Sequence, residues 1–322
     1  MNKLNLKETI KILEKKYGKN TVMKLNDKSK INIPVIPTGS VSLDYALGVG
    51  GIPRGRIIEI YGPEASGKTT LSLHIIAEAQ KQNIKCVFID AEYGLDPEYA
   101  KKIGVDIEKL YISQPDSGEQ ALDIVESFVK SDDVGLIVID SVAALTPQAE
   151  IDGEMGHMFI GLQARLMSQA LRKLTAISSK SNTTIIFINQ IRMKIGQMWG
   201  SPETTSGGIA LKFYTSVRIE VRRSAKLKKD DEQIGSRIKV KVAKNKVAQP
   251  FKTTEFDILY DRGISKVNDV FNFALKYDIL KQKGHTIYYN DEKVAVGKES
   301  TIDTLQENKE LLEKIVKDIK NM

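Results

Sequence analysis

The decisive stretch of this sequence is Gly62-Pro63-Glu64-Ala65-Ser66-Gly67-Lys68-Thr69-Thr70. It fits G-x-x-x-x-G-K-[ST], the pattern of the phosphate-binding P-loop. An apolar, β-branched run at 56–61 precedes it and a helix-like run at 69–82 follows it, which is the strand–turn–helix context that the motif needs. In such a loop backbone N–H groups surround phosphate oxygens, Lys68 reaches the β- and γ-phosphates, and Thr69 holds Mg²⁺. The sequence therefore predicts binding of a nucleoside triphosphate with magnesium.

The composition is that of an ordinary globular protein with a basic charge. The chain has 322 residues, a formal net charge of +7 and one cysteine, Cys86. One cysteine excludes an internal disulfide and suits a reducing cytosol. No apolar run approaches the roughly 18 residues that cross a bilayer, and the N-terminus has no long apolar segment of a secretory signal. We therefore predict a cytoplasmic protein without a membrane partner, and the charge favours a polyanionic partner.

The apolar runs predict an α/β fold. Four runs of mostly Val, Ile, Leu and Phe are candidates for parallel strands buried on both faces, at 57–60, 87–90, 136–140 and 183–188. Helical patterns separate them, at 69–82, 118–130 and 162–180. Three further runs with no long helix between them predict antiparallel strands that extend the sheet, at 217–222, 237–242 and 255–259. This alternation is typical of a doubly wound domain with a mostly parallel central sheet.

The chain divides into three predicted parts. Residues 1–32 hold a short amphipathic helix at 7–17 and a polar tether, and the helix would dock on a neighbouring subunit or pack on its own core. Residues 33–265 form the nucleotide-binding core. Residues 266–322 form a small C-terminal α+β lobe, with helical patterns at 267–277 and 302–319 around a hairpin.

Polar side chains follow three predicted strands, where ligands of an open α/β sheet bind. Asp140 ends its strand as a Walker B carboxylate does and would orient Mg²⁺ through water. Glu92 is our candidate for the group that deprotonates the water attacking the γ-phosphate, and a solvated acidic loop is the alternative. Gln190 follows its strand as a possible γ-phosphate sensor, or is an ordinary loop amide.

These segments together resemble the bacterial RecA strand-exchange recombinases. The matches run in order along most of the chain from about residue 20, and they are, besides Gly62–Thr70, Phe88-Ile89-Asp90-Ala91-Glu92, Ser113-Gln114-Pro115-Asp116-Ser117-Gly118-Glu119-Gln120-Ala121, Asp140-Ser141-Val142-Ala143-Ala144-Leu145-Thr146-Pro147, Phe187-Ile188-Asn189-Gln190-Ile191-Arg192-Met193-Lys194-Ile195-Gly196, Pro202-Glu203-Thr204-Thr205 and Lys244-Asn245-Lys246. The resemblance implies a RecA-like P-loop ATPase core with an N-terminal helix and a small C-terminal lobe.

The resemblance also implies a function. Members of this family are DNA-dependent ATPases that use ATP and Mg²⁺ and form a helical filament on single-stranded DNA. The filament pairs that strand with homologous duplex DNA and exchanges strands in DNA repair. The resemblance further implies that the chain promotes self-cleavage of an SOS repressor.

The resemblance assigns residues to the nucleotide. Glu92 matches the catalytic glutamate, and Gln190 matches the residue that couples the γ-phosphate to the DNA loop just after it. Asp96, Tyr99 and Tyr260 match contacts to adenine, with Tyr99 stacking on it.

Further positions match the boundary between subunits. Lys244 and Lys246 resemble a lysine pair that reaches the γ-phosphate held by the neighbouring subunit, an arginine-finger role. Their alternative is a solvated strand end. Phe213 matches an aromatic that packs across the subunit interface, and its alternative is a plain core residue.

Two glycine-bearing segments, 151–162 and 192–210, resemble DNA-binding loops. The implied DNA contacts are Ile160, Arg165, Arg192, Lys194, Ile195, Gly207 and Gly208. Basic side chains neutralise the strand, and the two isoleucines would act as wedges between base triplets. The sequence departs from the family at His157-Met158-Phe159-Ile160, Ile209, Tyr93-Gly94 and Asp261, and the single tryptophan, Trp199, falls in the second loop.

Three other functions would share some of these features. A hexameric motor of the same fold, such as a helicase, would need a ring and an arginine supplied between subunits. A small-molecule P-loop kinase would need an acceptor pocket and a lid. A non-catalytic DNA-coating protein would bind DNA without exchanging strands.

Overall fold

The computed structural model describes residues 5–19, 21–22, 24, 33–156, 159, 161–193 and 202–322. The chain forms two compact units, Met1–Pro34 and Val35–Met322. The first unit contains α1 (Leu6–Tyr17), which starts with a capping box: the Asn5 side chain accepts from Glu8 N, and the Glu8 carboxylate accepts from Asn5 N. The predicted N-terminal helix is therefore confirmed.

A ten-stranded sheet organises the second unit. The strands of this unit before the C-terminal lobe are β1 (Val35–Ile36), β2 (Ile52–Pro53), β3 (Ile57–Gly62), β4 (Cys86–Asp90), β5 (Leu110–Ser113), β6 (Leu136–Asp140), β7 (Thr184–Met193), β8 (Glu203–Thr205), β9 (Val217–Lys229), β10 (Glu232–Asn245), β11 (Thr253–Leu259) and β12 (Gly263–Ile264). The large sheet has the order β12-β11-β10-β9-β3-β7-β6-β4-β5, β8 pairs with β7, and β1 and β2 form a separate antiparallel pair. From β9 to β5 all neighbours are parallel, and β10, β11, β12 and β8 are antiparallel to theirs.

Helices cover both faces of this sheet. They are α2 (Val41–Leu47), α3 (Lys68–Lys81), α4 (Pro97–Ile103), α5 (Gly118–Lys130), α6 (Gln148–Ile151), α7 (Leu162–Ser181) and α8 (Ala210–Tyr214). One core contains Leu71 and Ile75 of α3 together with Phe88 of β4. The other core contains Val125 of α5 and Leu171 of α7. Because the central strands are buried on both faces, their sequences read as continuous apolar runs.

A small lobe ends the chain. Its elements are α9 (Lys266–Lys276), β13 (Leu280–Lys283), β14 (Thr286–Tyr289), β15 (Glu292–Val296), α10 (Lys298–Glu307) and α11 (Lys309–Lys320). Its core includes Phe273, which packs edge-on against Tyr45 of α2 with ring centroids 5.1 Å apart. The single helix predicted at 302–319 is two helices, because Asn308 ends α10 and its side chain accepts from Leu311 N at 3.0 Å to cap α11.

The sheet differs from the predicted one at β9. The predicted antiparallel strand at 217–222 is parallel to β3, with Ile58 opposite Val217, and antiparallel only to β10. The strands β9 and β10 are also longer than predicted, since they continue as a hairpin whose tip is mostly exposed. Hydrogen bonds between β9 and β10 stabilise that tip. The tip therefore lacks the apolar residues from which a strand is predicted.

The strand β7 also runs further than predicted. Its apolar part ends at Ile188, but pairing of Ile191–Met193 with β8 carries the strand on to Met193. Gln190 therefore lies inside a strand rather than after one.

Candidate nucleotide and DNA site

The predicted P-loop connects β3 to α3. Gly62 ends β3 and Lys68 begins α3. Ala65 and Gly67 take left-handed backbone conformations, with φ of 53° and 89°. A Cβ built on Gly62 would lie 2.0 Å from the carbonyl oxygen of Val221, so only glycine fits there.

The loop presents polar groups that have no partner within the described part of the chain. The backbone N–H groups of Ser66, Gly67, Lys68 and Thr69 find no acceptor among the described residues. The Ser66 hydroxyl is also buried without a hydrogen-bond partner there. Because these groups lie at the N-terminus of a 14-residue helix, they form a cradle that fits the phosphates of a nucleotide.

Lys68 is held over this cradle. Its side chain is buried, and Nζ donates to the carbonyl oxygen of Pro63 at 2.7 Å. Burial lowers the pKa of Lys68, and the nearby carboxylates of Asp140, Glu92 and Glu64 oppose that shift. A buried ammonium group with one backbone partner is well placed to exchange it for phosphate oxygens.

Thr69 and Asp140 meet beside the loop. Thr69 Oγ1 donates to Asp140 Oδ2 at 2.6 Å. Burial raises the pKa of Asp140 to about 6, against the hydrogen bond from Thr69. A hydroxyl and a carboxylate at this distance are oxygen ligands that suit Mg²⁺, directly or through water. These two residues fit the predicted magnesium site.

Glu92 accepts hydrogen bonds from two side chains at the carboxyl ends of the central strands. The Ser141 hydroxyl and Gln190 Nε2 both donate to Glu92 Oε1, the latter at 3.0 Å. The backbone N–H of Ala91 donates to the Asp140 carbonyl at 2.8 Å and joins the two strand ends. Glu92 and Gln190 therefore contact each other directly. Ser141 was not among the predicted site residues, although it directly follows Asp140.

Asp90 holds the turn after Glu92. Its buried carboxylate accepts from Gly94 N at 3.1 Å, Leu95 N at 3.3 Å and Gln114 Nε2 at 3.0 Å. Tyr93 in that turn has a φ of 56°. Asp90 was not among the predicted site residues, although a carboxylate at the end of a buried strand is a signal for a specific role.

The residues predicted to contact adenine lie in two different parts of the structure. Asp96 caps α4 by accepting from Glu98 N and Tyr99 N, and the Tyr99 hydroxyl lies 3.2 Å from Thr70 Oγ1. Tyr99 is thus in hydrogen-bond contact with the P-loop. Tyr260 follows β11, and its hydroxyl bonds to Gln233 of the β9–β10 hairpin.

The two predicted lysines lie against the end of α8. Lys244 Nζ donates to the carbonyl oxygens of Lys212 at 2.6 Å and Phe213 at 3.0 Å, and Lys246 Nζ donates to Phe213 at 3.2 Å. Partial burial lowers the pKa of Lys244, and Lys246 and Arg218 add to the shift. The Phe213 side chain is 67% exposed, so the alternative that it is a plain core residue is wrong.

These lysines lie away from the P-loop of their own chain. Lys246 N donates to the carbonyl of Ser216, and Ser216 N donates to that of Ile57, the first residue of β3. The P-loop starts at Gly62, the last residue of that strand. Five residues of β3 therefore separate the level of Lys246 from the P-loop, about 16 Å at roughly 3.3 Å per residue. Lys244 lies opposite Arg218, which lies opposite Glu59, so three residues, or about 10 Å along the strand direction, separate it from the same loop.

A buried charge network lies on β3 between Ile57 and Gly62. The Glu59 carboxylate accepts from Asn189 Nδ2 at 2.9 Å and from Arg218 Nε, and the Arg218 guanidinium lies 4.4 Å from the ring centroid of Tyr61. Asn189 Nδ2 also donates to the carbonyl of Ser206 at 3.0 Å. This network, which was not predicted from the sequence, connects the end of the second predicted DNA loop to β3.

Four of the predicted DNA contacts lie in the described part. Arg165 is exposed on the first turns of α7, and Arg192 is exposed on β7 opposite Thr204. Gly207 and Gly208 both have a φ of 78° and follow β8. Ile160, Lys194 and Ile195 lie outside the described residues, as does Trp199.

Replacing Gly207 tests how tightly this segment packs. A Cβ on Gly207 would lie 2.7 Å from Val142 Cγ1. We expect Gly207→Ala to lower the free energy of unfolding by about 2–4 kcal/mol, from the left-handed backbone and the overpacking together. Urea denaturation measures this. Gly297→Ala is the matched control, since Gly297 has a φ of 84° and open space around it, and an equal loss in both variants would contradict the packing argument.

The comparisons with known proteins agree with this geometry. The family model of the RecA N-terminal domain matches residues 4–265, and that of the RecA C-terminal domain matches residues 268–322. The chain belongs to the RecA family. The predicted resemblance and the predicted α/β fold class are confirmed.

The RecA family includes close relatives of this chain. A protein of Campylobacter lari named Protein RecA is 58% identical over 318 residues, which are 98% of this chain and 92% of the relative. Protein RecA of Helicobacter acinonychis is 58% identical over 312 residues, 97% and 90% of the two chains. The crystal structure of the RadB recombinase has a TM-score of 0.54 at 22% identity and covers 71% of this chain and 98% of that chain, which shows a shared fold. No helix in the described ranges is long and apolar enough to cross a membrane.

Proposed function

We propose that this chain is an ATP-dependent homologous recombinase that forms helical filaments on single-stranded DNA. It pairs that strand with homologous duplex DNA, exchanges strands in DNA repair, and promotes self-cleavage of an SOS repressor in the cytoplasm. The observation that carries this proposal is the hydrogen bond from Gln190 to Glu92. It joins the candidate catalytic carboxylate to the strand that leads into the second DNA loop.

The P-loop binds and orients ATP in this proposal. The amides of 66–69 and the Lys68 ammonium hold the β- and γ-phosphates, and Asp96, Tyr99 and Tyr260 contact adenine. Thr69 and Asp140 hold Mg²⁺, which when bound neutralises phosphate charge. Glu92 takes the proton of the attacking water. Its Oε1 is occupied by Ser141 and Gln190, which leaves Oε2 as the basic atom.

The neighbouring subunit completes the site. Lys246 lies a strand length from its own P-loop and Lys244 lies about 10 Å from it along the strand direction, so we infer that both serve the nucleotide of the next subunit. The exposed ring of Phe213 beside them supports this surface as the interface. Hydrolysis then depends on assembly, as with an arginine finger.

DNA lies along the two loops in this proposal. Arg165, Arg192 and Lys194 neutralise phosphates, Ile160 and Ile195 separate bases, and the amides of Gly207–Gly208 are candidates for phosphate contacts. Homologous pairing itself is base pairing, and the protein supplies the grip on the backbone. The three parts 1–32, 33–265 and 266–322 act as docking helix and tether, ATPase and DNA-binding core, and C-terminal lobe.

ATP hydrolysis with and without single-stranded DNA tests the proposal. We expect single-stranded DNA to stimulate ATP hydrolysis strongly, because DNA bound to the two loops would act on the nucleotide at the P-loop. High turnover without DNA would instead favour a motor or a kinase. DNA binding and hydrolysis without strand exchange would favour a DNA-coating protein.

A mixing experiment tests the role of the lysines. We expect Lys246→Ala and Glu92→Gln subunits to be inactive alone and to regain DNA-dependent hydrolysis when mixed, because a head-to-tail interface pairs an intact Glu92 with an intact neighbouring lysine. Random mixing in equal amounts produces about a quarter of such interfaces. A coupled ATPase assay measures this. Mixtures that stay inactive while still binding DNA would contradict a role between subunits.

A further inference from the structure

Gln163 joins three segments of the chain that are far apart in sequence. It is the second residue of α7, directly after the first predicted DNA loop. Its Nε2 donates to the carbonyl oxygens of Val142 at 2.9 Å and Leu145 at 3.2 Å. Its Oε1 accepts from Gly207 N at 3.2 Å. One amide side chain therefore connects both predicted DNA loops to the segment that follows β6.

Packing fixes the same junction. Ideal Cβ atoms on Gly207 and Gly208 would lie 2.7 Å from Val142 Cγ1 and 2.8 Å from Ala164 Cβ. The glycine backbone is thus in close contact with the start of α7 and with Val142. Because so little space separates these segments, a displacement of one is passed to the others.

One peptide bond and one hydrogen bond connect this junction to Glu92. Val142 directly follows Ser141, and the Ser141 hydroxyl donates to Glu92 Oε1. Gln190, which precedes the second loop, donates to the same oxygen. Both ends of the second loop therefore reach one carboxylate oxygen, the start through Gln190 and the end through Gln163, Val142 and Ser141.

We propose that Gln163 is a positioning residue that couples the end of the second DNA loop to Glu92. The inference rests on the proposed function, since it assigns a route by which DNA stimulates hydrolysis. Only an amide satisfies the junction, because it must donate to two carbonyls and accept from one N–H. Gly207 N–H donates to Gln163, whereas Gly208 N–H has no acceptor among the described residues. Gln163 therefore holds Gly207 in an orientation that leaves the neighbouring Gly208 N–H available to a DNA phosphate.

Gln163→Leu tests this role. The variant keeps the side-chain size and removes all three hydrogen bonds. We expect the stimulation of ATP hydrolysis by single-stranded DNA to fall by about two- to thirtyfold, the range for coupled sites. The loss appears in kcat at saturating DNA, the KM for ATP stays at the wild-type value, and the rate without DNA is unchanged. Gln169→Leu is the matched control, because Gln169 is exposed on the same helix.

A second variant separates the hydrogen bonds from folding. Gln163→Glu keeps an acceptor for Gly207 but loses the donor to both carbonyls, so it should lose stimulation as the leucine variant does. Thermal unfolding shows that each variant is folded. Full stimulation in both variants, with a stimulated wild type, would overturn the role of Gln163 alone. A wild-type enzyme that DNA does not stimulate would overturn the proposed function and this inference together.

Discussion

Lys68→Ala is expected to abolish ATP-dependent DNA binding and to reduce hydrolysis by about 10²–10³-fold or more, the effect of removing one donor aimed at developing charge. Lys68 Nζ is buried beside the P-loop and has one backbone partner, the Pro63 carbonyl. Filter binding of labelled single-stranded DNA with and without ATP measures the first effect, and phosphate release measures the second.

A control on the same helix makes this result specific. Lys81 ends α3 and forms an exposed ion pair with Glu78. Exposed pairs contribute about 0–1 kcal/mol to stability, so Lys81→Ala should bind DNA and hydrolyse ATP as the wild type does. ATP-dependent DNA binding retained by Lys68→Ala would refute the assigned role of the P-loop.

Glu92→Gln is expected to stop hydrolysis while nucleotide and DNA binding persist. A general base contributes about 10²–10⁴-fold to a rate, and an amide cannot accept the proton. The amide oxygen can still accept from Ser141 and Gln190, as the carboxylate oxygen does, so the local structure is retained. Single-turnover hydrolysis and DNA binding in the presence of ATP measure the two effects.

The neighbouring carboxylate of Glu98 supplies the control. Glu98 is exposed in the first turn of α4, so Glu98→Gln removes the same charge close by without touching the site. Normal turnover in Glu92→Gln would remove Glu92 from the mechanism. Loss of DNA binding in that variant would show that the carboxylate serves assembly rather than proton transfer.

The predictable part of this protein lies in contiguous stretches of sequence. The P-loop is recognisable because its whole phosphate cradle, from Gly62 to Thr70, is local, and its flanks carry the periods of a strand and a helix. The strand 136–140 and the helix 118–130 coincide with β6 and α5. Burial on two faces makes β6 apolar as far as Asp140, its last residue, and one-sided burial makes α5 amphipathic.

Strand direction and strand length were less predictable. Val217–Lys229 is parallel to β3 and also half of a hairpin, and only the neighbours on either side decide this. Similarly, β7 extends beyond Ile188 because β8 returns to pair with it. The sequence pattern of a strand does not show which strands pair with it or how far the pairing extends.

The sequence by itself determined the family, the candidate nucleotide-binding loop and the carboxylates at the strand ends, because these depend on residue types within a few positions of one another. The tertiary structure decided which polar groups meet. The Ser141–Glu92 and Gly207–Gln163 hydrogen bonds span 49 and 44 residues, and the Asn189–Glu59 bond spans 130. It also placed Lys246 at the opposite end of β3 from the P-loop. Such contacts form only when the sheet brings distant segments together, since a hydrogen bond depends on position in space and not on separation along the chain.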